Sequence, residues 1–219
     1  MKTITHNLHK LMTTRALIAT LAVALAGSMG AQTTVRYVSQ PGSSVKIDGT
    51  SSIHDWTVEG KIIKGFMEAD ADYPASATKP DASAPKPKVE VSIPVRTLKS
   101  YAKKMDEVMQ EAMTMAKYPN IEYKLLELKP KADSPATGAV KFDAVGALTV
   151  SGVTRTNLMP VTIERTDKAI KVKGSTKMKM TQFGIKPPAP ALALGLIKTG
   201  DDVTVSIDWL TAPEAPAAK

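Results

Sequence analysis

The chain has 219 residues, a formal net charge of +8 and no cysteine. The lack of cysteine excludes disulfides, thiolate metal sites, cysteine nucleophiles and a lipidated cysteine anchor. The positive charge is mild, and lysines such as Lys168, Lys171 and Lys173 are interspersed with apolar residues. Because arginine clusters and aromatic ladders are absent from this sequence, we expect no nucleic-acid partner.

Residues 1–31 have the pattern of a secretory signal peptide. The N-terminal segment, residues 1–15, has three basic residues and no acidic one. An apolar run at Ala16–Ala26 and then small residues follow it. This order is typical of a signal that is cleaved, here between residues 26 and 31. No segment reaches the roughly 20 apolar residues of a transmembrane helix. The sequence therefore predicts a periplasmic or secreted protein with one domain over residues 32–210 and no transmembrane segment.

Alternation of apolar and polar residues dominates the rest of the chain and predicts about nine short strands. The candidate strands are Val35–Val38, Val45–Ile47, Trp56–Ile62, Val89–Val95, Ile121–Leu125, Val140–Ala144, Met159–Ile163, Met178–Met180 and Val203–Trp209. So many strands with so little helix favour an all-β fold, either an antiparallel barrel or a sandwich.

One segment, Leu98–Lys117, has helical periodicity instead. Its apolar stripe consists of Met105, Val108, Met109, Ala112 and Met113. Ser100 is the predicted cap, and the proline at 119 ends the helix. A single amphipathic helix in a β protein has to bury its stripe, so we expect it against the sheet or over a barrel end.

Three segments are predicted to be irregular. The Pro- and Ala-rich stretch at 73–88 reads as an exposed loop, residues 211–219 as a disordered tail, and Gly200–Asp202 as a tight turn. A fourth, with prolines at 187, 188 and 190 followed by Leu192, Leu194 and Leu196, is both proline-stiffened and apolar. This segment is either a buried closing loop or the rim of an apolar opening.

The run of His54, Asp55 and Trp56 is the best candidate for chemistry. Neighbouring residues on a strand point to opposite faces, so His54 shares a face with Trp56 while Asp55 points away. The two cannot then act as a base and its orienting carboxylate. No other histidine follows residue 9 and no serine lies in a nucleophile-elbow motif. We expect no catalytic residue, no metal and no cofactor, with His54 hydrogen-bonded at a strand entrance.

The methionines suggest a binding cavity. They are flexible and polarizable, and adapt to irregular apolar partners. Together, those of the helix and of the strands suit a long hydrocarbon, although any one of them is more often simple core. A barrel of about eight strands has room either for its own side chains or for one small ligand.

Several motifs resemble the YceI-like family. They are "SSIHDWTVEG", "KYPNIEYKL", "GALTVSGVTRTNLMPVTI", "KMTQFGIKPP" and "KTGDDVTVSIDW", and they occur in the family's order. The resemblance implies a lipocalin-like antiparallel barrel of about eight strands, with the helix packed against or over it, that binds polyisoprenoid lipids in the periplasm without catalysis. Asp55 stands where many relatives have serine, and the double proline at 187 and 188 also departs from the family, so the lipid itself stays open.

The sequence thus predicts a non-enzymatic carrier for an isoprenoid, an isoprenoid quinone or another long-chain lipid. The predicted apolar lining is Trp56, Val58, Met105, Met109, Tyr123, Phe142, Met178, Met180 and Phe183, with His54 as a polar contact at the mouth. The alternative is an envelope stress or adhesion protein with a fully packed barrel that binds a protein partner. The oligomeric state stays open, a homodimer included.

Overall fold

The computed structural model describes residues 34–78, 86–134, 138–167, 169–189 and 197–215. In these ranges the chain forms strands β1 (Thr34–Ser39), β2 (Ser44–Ser51), β3 (Trp56–Gly60), β4 (Lys64–Asp70), β5 (Lys88–Pro94), β6 (Asn120–Pro130), β7 (Val140–Val150), β8 (Val153–Arg165), β9 (Ile170–Lys179) and β10 (Thr199–Pro213). Helix α1 is Lys103–Ala112, and short 3-10 helices lie at Ala75–Thr78, Val95–Thr97 and Met180–Phe183.

The strands close into an antiparallel barrel of eight, as predicted. The order around the barrel is β1, β4, β5, β6, β7, β8, β9 and β10, and β10 pairs with β1 again. Closure of the ring gives each of its eight strands a hydrogen-bonded neighbour on both sides. Strands β2 and β3 extend the sheet from β10, where β2 pairs from Ser44–Asp208 to Ser51–Thr199.

Strand β2 continues the course of β1 after an interruption at residues 40–43. Ser43 is buried there, and its hydroxyl donates to the Gln40 carbonyl at 2.8 Å while accepting from the Leu210 amide at 3.1 Å. These bonds satisfy backbone groups that the interrupted ladder leaves unpaired. Gly42 has φ +97°, a conformation that favours glycine. One long strand, β10, can therefore pair with β2 and then with β1 along the same edge.

The ladder between β8 and β9 covers only part of their length. It runs from Arg165–Ile170 to Val161–Gly174, and no further pair forms within the described part of the two strands. Pro160, the next residue along β8, has no backbone N–H to donate. Beyond it the side chain of Thr176 donates to the Leu158 carbonyl at 3.0 Å. The backbone ladder between β8 and β9 therefore ends at Val161, and a side-chain hydrogen bond continues the contact beyond it.

Helix α1 is shorter than predicted. It begins at Lys103, and Ser100 is not its cap, because Ala102 occupies that position without a side-chain bond. Lys99 pairs instead with Glu59 of β3, through two backbone hydrogen bonds of 2.8 Å. This pairing holds the approach to the helix extended, so helical geometry starts later than periodicity alone indicates. The helix ends at Ala112 rather than at Lys117.

Two more segments differ from the prediction. Gly200–Asp202 lies within β10 rather than in a turn, and β10 continues to Pro213, so the predicted tail begins inside the barrel wall. Thr211 is fully buried, and its hydroxyl donates to the Ile170 carbonyl at 3.0 Å. Tyr73, predicted at the start of an exposed loop, is buried as well.

Some predictions fall outside the described residues. These are the signal peptide at 1–31, the middle of the loop at 79–85, Leu192, Leu194 and Leu196, and the end of the tail at 216–219. Among the helices that are described, none is both long and apolar enough to span a membrane.

Candidate functional site: a cavity in the barrel

The barrel encloses a cavity of about 640 Å³. Its wall is formed by the inward-facing residues of the strands, as alternation along β10 illustrates: Val203, Val205, Ile207 and Trp209 all line it. Pockets for small ligands commonly measure about 300–1,000 Å³ and are mostly apolar. The sequence also allowed a barrel filled by its own side chains, and such a barrel would contain no cavity of this size.

Helix α1 supplies one side of the cavity. The residues of its predicted stripe, Met105, Val108, Met109, Ala112 and Met113, all line it. They recur every three or four residues, which places them on one face of the helix. Charged residues flank this face, including Lys104 and Glu107, which are paired at 3.2 Å.

A buried carboxylate anchors the start of the helix. Asp106 accepts hydrogen bonds of 2.7 Å from both the backbone N–H and the hydroxyl of Ser100, and Lys99 lies 3.5 Å away. Desolvation by burial raises the pKa of Asp106, but the bonds from Ser100 and the charge of Lys99 outweigh it, so the pKa lies below its ordinary value. The ionised carboxylate thus ties the helix to the segment that pairs with β3.

The mouth of the cavity is defined by four lining residues that are also exposed: Ile53, His54, Lys104 and Lys179. His54 Nδ1 lies 2.7 Å from the backbone oxygen of Asp55, to which it donates. Lys179 pairs with Asp202 at 2.9 Å, and this hydrogen bond raises the pKa of Lys179. The charges at the mouth are therefore already balanced by carboxylates outside it.

The interior holds few polar groups. Tyr123 and Asn157 line the cavity wall, and Tyr73 lines it more deeply, only 1% exposed. Burial raises the pKa of Tyr123 to about 12 and raises that of Tyr73 further. Both phenols are thus protonated at any physiological pH. Within the described part of the chain, no three acidic or histidine side chains are grouped to hold a metal ion.

The structure brings most of the predicted site residues together. Eight of the nine predicted apolar positions line the cavity: Trp56, Val58, Met105, Met109, Tyr123, Met178, Met180 and Phe183. His54 lies at the mouth on the same side as Trp56, while Asp55 is not part of the wall. That these residues contact a ligand stays a prediction.

Phe142 is the exception, because it does not line the cavity. It is 0% exposed and its ring stacks on Tyr73, with centroids 6.3 Å apart and planes 17° from parallel. Phe142 lies on the inward face of β7 with Ala144, as alternation requires. Tyr73, however, lies between Phe142 and the cavity as a lining residue. Phe142 belongs to the packed end of the barrel rather than to the site.

The prediction also missed lining residues. Trp209 follows directly from the alternation of β10, and the same pattern indicates Val203, Val205 and Ile207. Tyr73 carried no such signal, since it lies in a Pro- and Ala-rich stretch. Pro188 and Ile197 line the cavity too, at the two described ends of the proline-stiffened segment.

Fold and site together define a closed β-barrel with an internal apolar cavity that a helix borders at its open end. The chain belongs to the YceI-like domain family, whose model matches residues 32–210. No curated protein sequence matches it.

Solved structures share this fold at low sequence identity. BcnA from Burkholderia cenocepacia has a TM-score of 0.60 at 15% identity, over 77% of this chain and 95% of its own. A polyisoprenoid binding domain from Saccharophagus degradans has a TM-score of 0.62 at 12% identity, over 83% of this chain and 100% of its own. The YceI protein of Campylobacter jejuni has a TM-score of 0.54 at 20% identity, over 73% and 85%.

Proposed function

We propose that this protein binds a long apolar lipid, a polyisoprenoid or an isoprenoid quinone, inside its barrel. The protein is exported to the periplasm or secreted, and it stores, carries or protects its lipid without catalysis. The single observation that carries this proposal is the cavity of about 640 Å³ whose lining is almost entirely aliphatic, aromatic and methionine side chains. The polyisoprenoid binding domain from Saccharophagus degradans, which has the same fold, supports the choice of lipid.

Burial supplies the affinity. Transfer of one five-carbon prenyl unit from water into such a cavity contributes about 3–4 kcal/mol, at about 0.8 kcal/mol per CH₂-sized group, before ordering costs. The methionines of α1 can adjust their rotamers to an irregular branched chain. Enzymatic use of His54 is not supported by its surroundings, because its Nδ1 donates to the backbone oxygen of Asp55 and not to a carboxylate that would orient it as a base.

The direct test is mass spectrometry of an organic extract of the protein, purified without detergent from its native cell envelope beside a mock purification. A stoichiometric isoprenoid or other long-chain lipid is expected, and the intact mass of the mature chain should show cleavage between residues 26 and 31. Reproducibly empty protein would instead favour a role through protein partners.

A matched pair of variants tests the position of the lipid. Met109→Glu places a charge on the cavity wall and is expected to abolish lipid retention, because an unpaired charge is strongly disfavoured beside hydrocarbon. Leu158→Glu is the control, since Leu158 is 52% exposed and does not line the cavity. Retained lipid in a folded Met109→Glu protein would contradict the placement.

A further inference from the structure

A polar spot interrupts the apolar wall of the cavity, away from the charged mouth. It consists of Tyr123 on β6 and Asn157 on β8, which flank the intervening strand β7. Between them lies Gly146, which pairs with Asn157 across the β7–β8 ladder.

Gly146 brings the two side chains close to each other. A Cβ atom at Gly146 would lie 2.2 Å from the Tyr123 ring and 2.4 Å from its hydroxyl, so the phenol lies directly over the glycine. Directly paired residues of antiparallel strands point to the same face, with Cβ positions about 4.5–5.5 Å apart. The side chain of Asn157 therefore leaves the wall on the same face, next to the glycine that the hydroxyl of Tyr123 covers.

Both groups are available to a ligand. Neither the Tyr123 hydroxyl nor the Asn157 carboxamide hydrogen-bonds to another of the described residues, whereas the mouth lysines are paired with Glu107 and Asp202. The protonated phenol donates one hydrogen bond, and the carboxamide both donates and accepts. Unpaired polar groups in an apolar enclosure are costly unless a partner satisfies them.

We propose that Tyr123 and Asn157 form a subsite for a neutral hydrogen-bonding head group, a carbonyl or hydroxyl, on the bound lipid. This inference rests on the proposed function and narrows its ligand class. A hydroxyl head accepts from the Tyr123 O–H and donates to the Asn157 carbonyl oxygen, while a ketone head accepts from both residues. A charged head is disfavoured, because the cationic residues of the wall lie at the exposed mouth and are already ion-paired.

Three lipids with one saturated isoprenoid skeleton test the subsite: phytanol, phytane and phytanic acid. They differ only in their terminal carbon, which is CH₂OH, CH₃ or COO⁻ respectively. Binding to lipid-free protein is read from tryptophan fluorescence, since both tryptophans of the chain, Trp56 and Trp209, line the cavity. One or two net hydrogen bonds predict that phytanol binds roughly threefold to tenfold more tightly than phytane at neutral pH.

The variants Tyr123→Phe and Asn157→Leu each remove one partner with little change in size. Each is expected to reduce the preference for phytanol to about threefold or less, the value for one remaining hydrogen bond, while phytane binding persists, which also shows that the variant cavity is folded. Tyr118→Phe is the matched control, because Tyr118 packs on Gly152 and does not line the cavity. This control keeps the full preference.

The outcomes separate the subsite from the proposed function. Equal binding of phytanol and phytane to the native protein, or a preference that neither variant reduces, would overturn the subsite and leave lipid binding intact. Tighter binding of phytanic acid would also overturn it, by placing the head at the lysines of the mouth. Binding of none of the three lipids would overturn the proposed function and the subsite with it.

Discussion

Two aromatic rings of the cavity wall owe their positions to glycines on a neighbouring strand. Trp56 lies over Gly49, where a Cβ atom would be 2.2 Å from its ring, and Tyr123 lies over Gly146 at the same distance. A glycine within a strand often marks such a close approach. The rings therefore lie flat along the wall instead of projecting across the cavity, which leaves the interior open.

We expect Gly146→Ala to lower the free energy of unfolding by about 1–3 kcal/mol, because the added methyl displaces the Tyr123 ring. In a Tyr123→Ala background the same change should cost less than about 0.5 kcal/mol, since the clash no longer exists. Urea unfolding of the four proteins of this double-mutant cycle measures the coupling. Additive effects would show that Gly146 matters for another reason.

At the level of elements, helix α1 is positioned from its first turn. Its methionine face lines the cavity, but the contact that orients it is polar: Asp106 accepts two hydrogen bonds from Ser100, which lies just after the residue that pairs with β3. A carboxylate in the first turn also complements the helix dipole. The site thus depends on a residue that does not face it.

This anchor should depend on pH. The lowered pKa of Asp106 means that its contribution is complete above the unfolded value of about 4 and is lost as pH falls through the folded value. Asp106→Asn is expected to cost about 1–3 kcal/mol in the free energy of unfolding at pH 7. The difference from the native protein should narrow as the pH falls below about 4, because the unfolded chain then takes up a proton at this carboxyl more readily than the folded protein does.

Urea titrations at pH 7 and at pH 3 measure this difference. Glu107→Gln, an exposed change in the same helix turn, is the control and should be nearly neutral at both values. A cost of Asp106→Asn that stays constant between the two pH values would contradict the role of the charge.

At the scale of the whole molecule, the cavity leaves the barrel with an incompletely filled core. A ligand that fills it binds only the folded state and so adds to its stability. The surrounding apolar side chains, including Trp56 and Trp209, then gain the contacts that an empty space denies them. Lipid loading and thermal stability should therefore change together.

We expect lipid at a hundredfold excess over its dissociation constant to add about 2.7 kcal/mol. For a domain of this size, that corresponds to a rise in Tm of roughly 5–10 °C. Differential scanning calorimetry of delipidated and reloaded protein measures the shift. The Met109→Glu variant should show no rise, and an equal rise in that variant would indicate lipid bound to the outer surface.

The periodicity of apolar residues along the sequence determined the fold class and the inward-facing positions of this protein. Alternation of apolar and polar residues indicated most of the strands and the all-β class, and the methionine stripe of α1 indicated the face that now lines the cavity. These features follow from backbone geometry, since a strand repeats every two residues and a helix every 3.6. The prediction that His54 and Trp56 point to the same face of the chain relied only on this repeat, and the structure places both on the cavity wall.

Only the tertiary structure decided where an inward-facing residue lies along the barrel. Phe142 and Ala144 share one face of β7, yet Tyr73 covers Phe142 while Ala144 borders open space. Likewise, pairing of Lys99 with Glu59 delayed the start of α1. The pairs Thr199–Ser51 and Asp202–Lys179 kept residues 200–202 within β10. Alternation specifies the face of each residue but not its depth, because depth depends on register between strands that are distant in sequence.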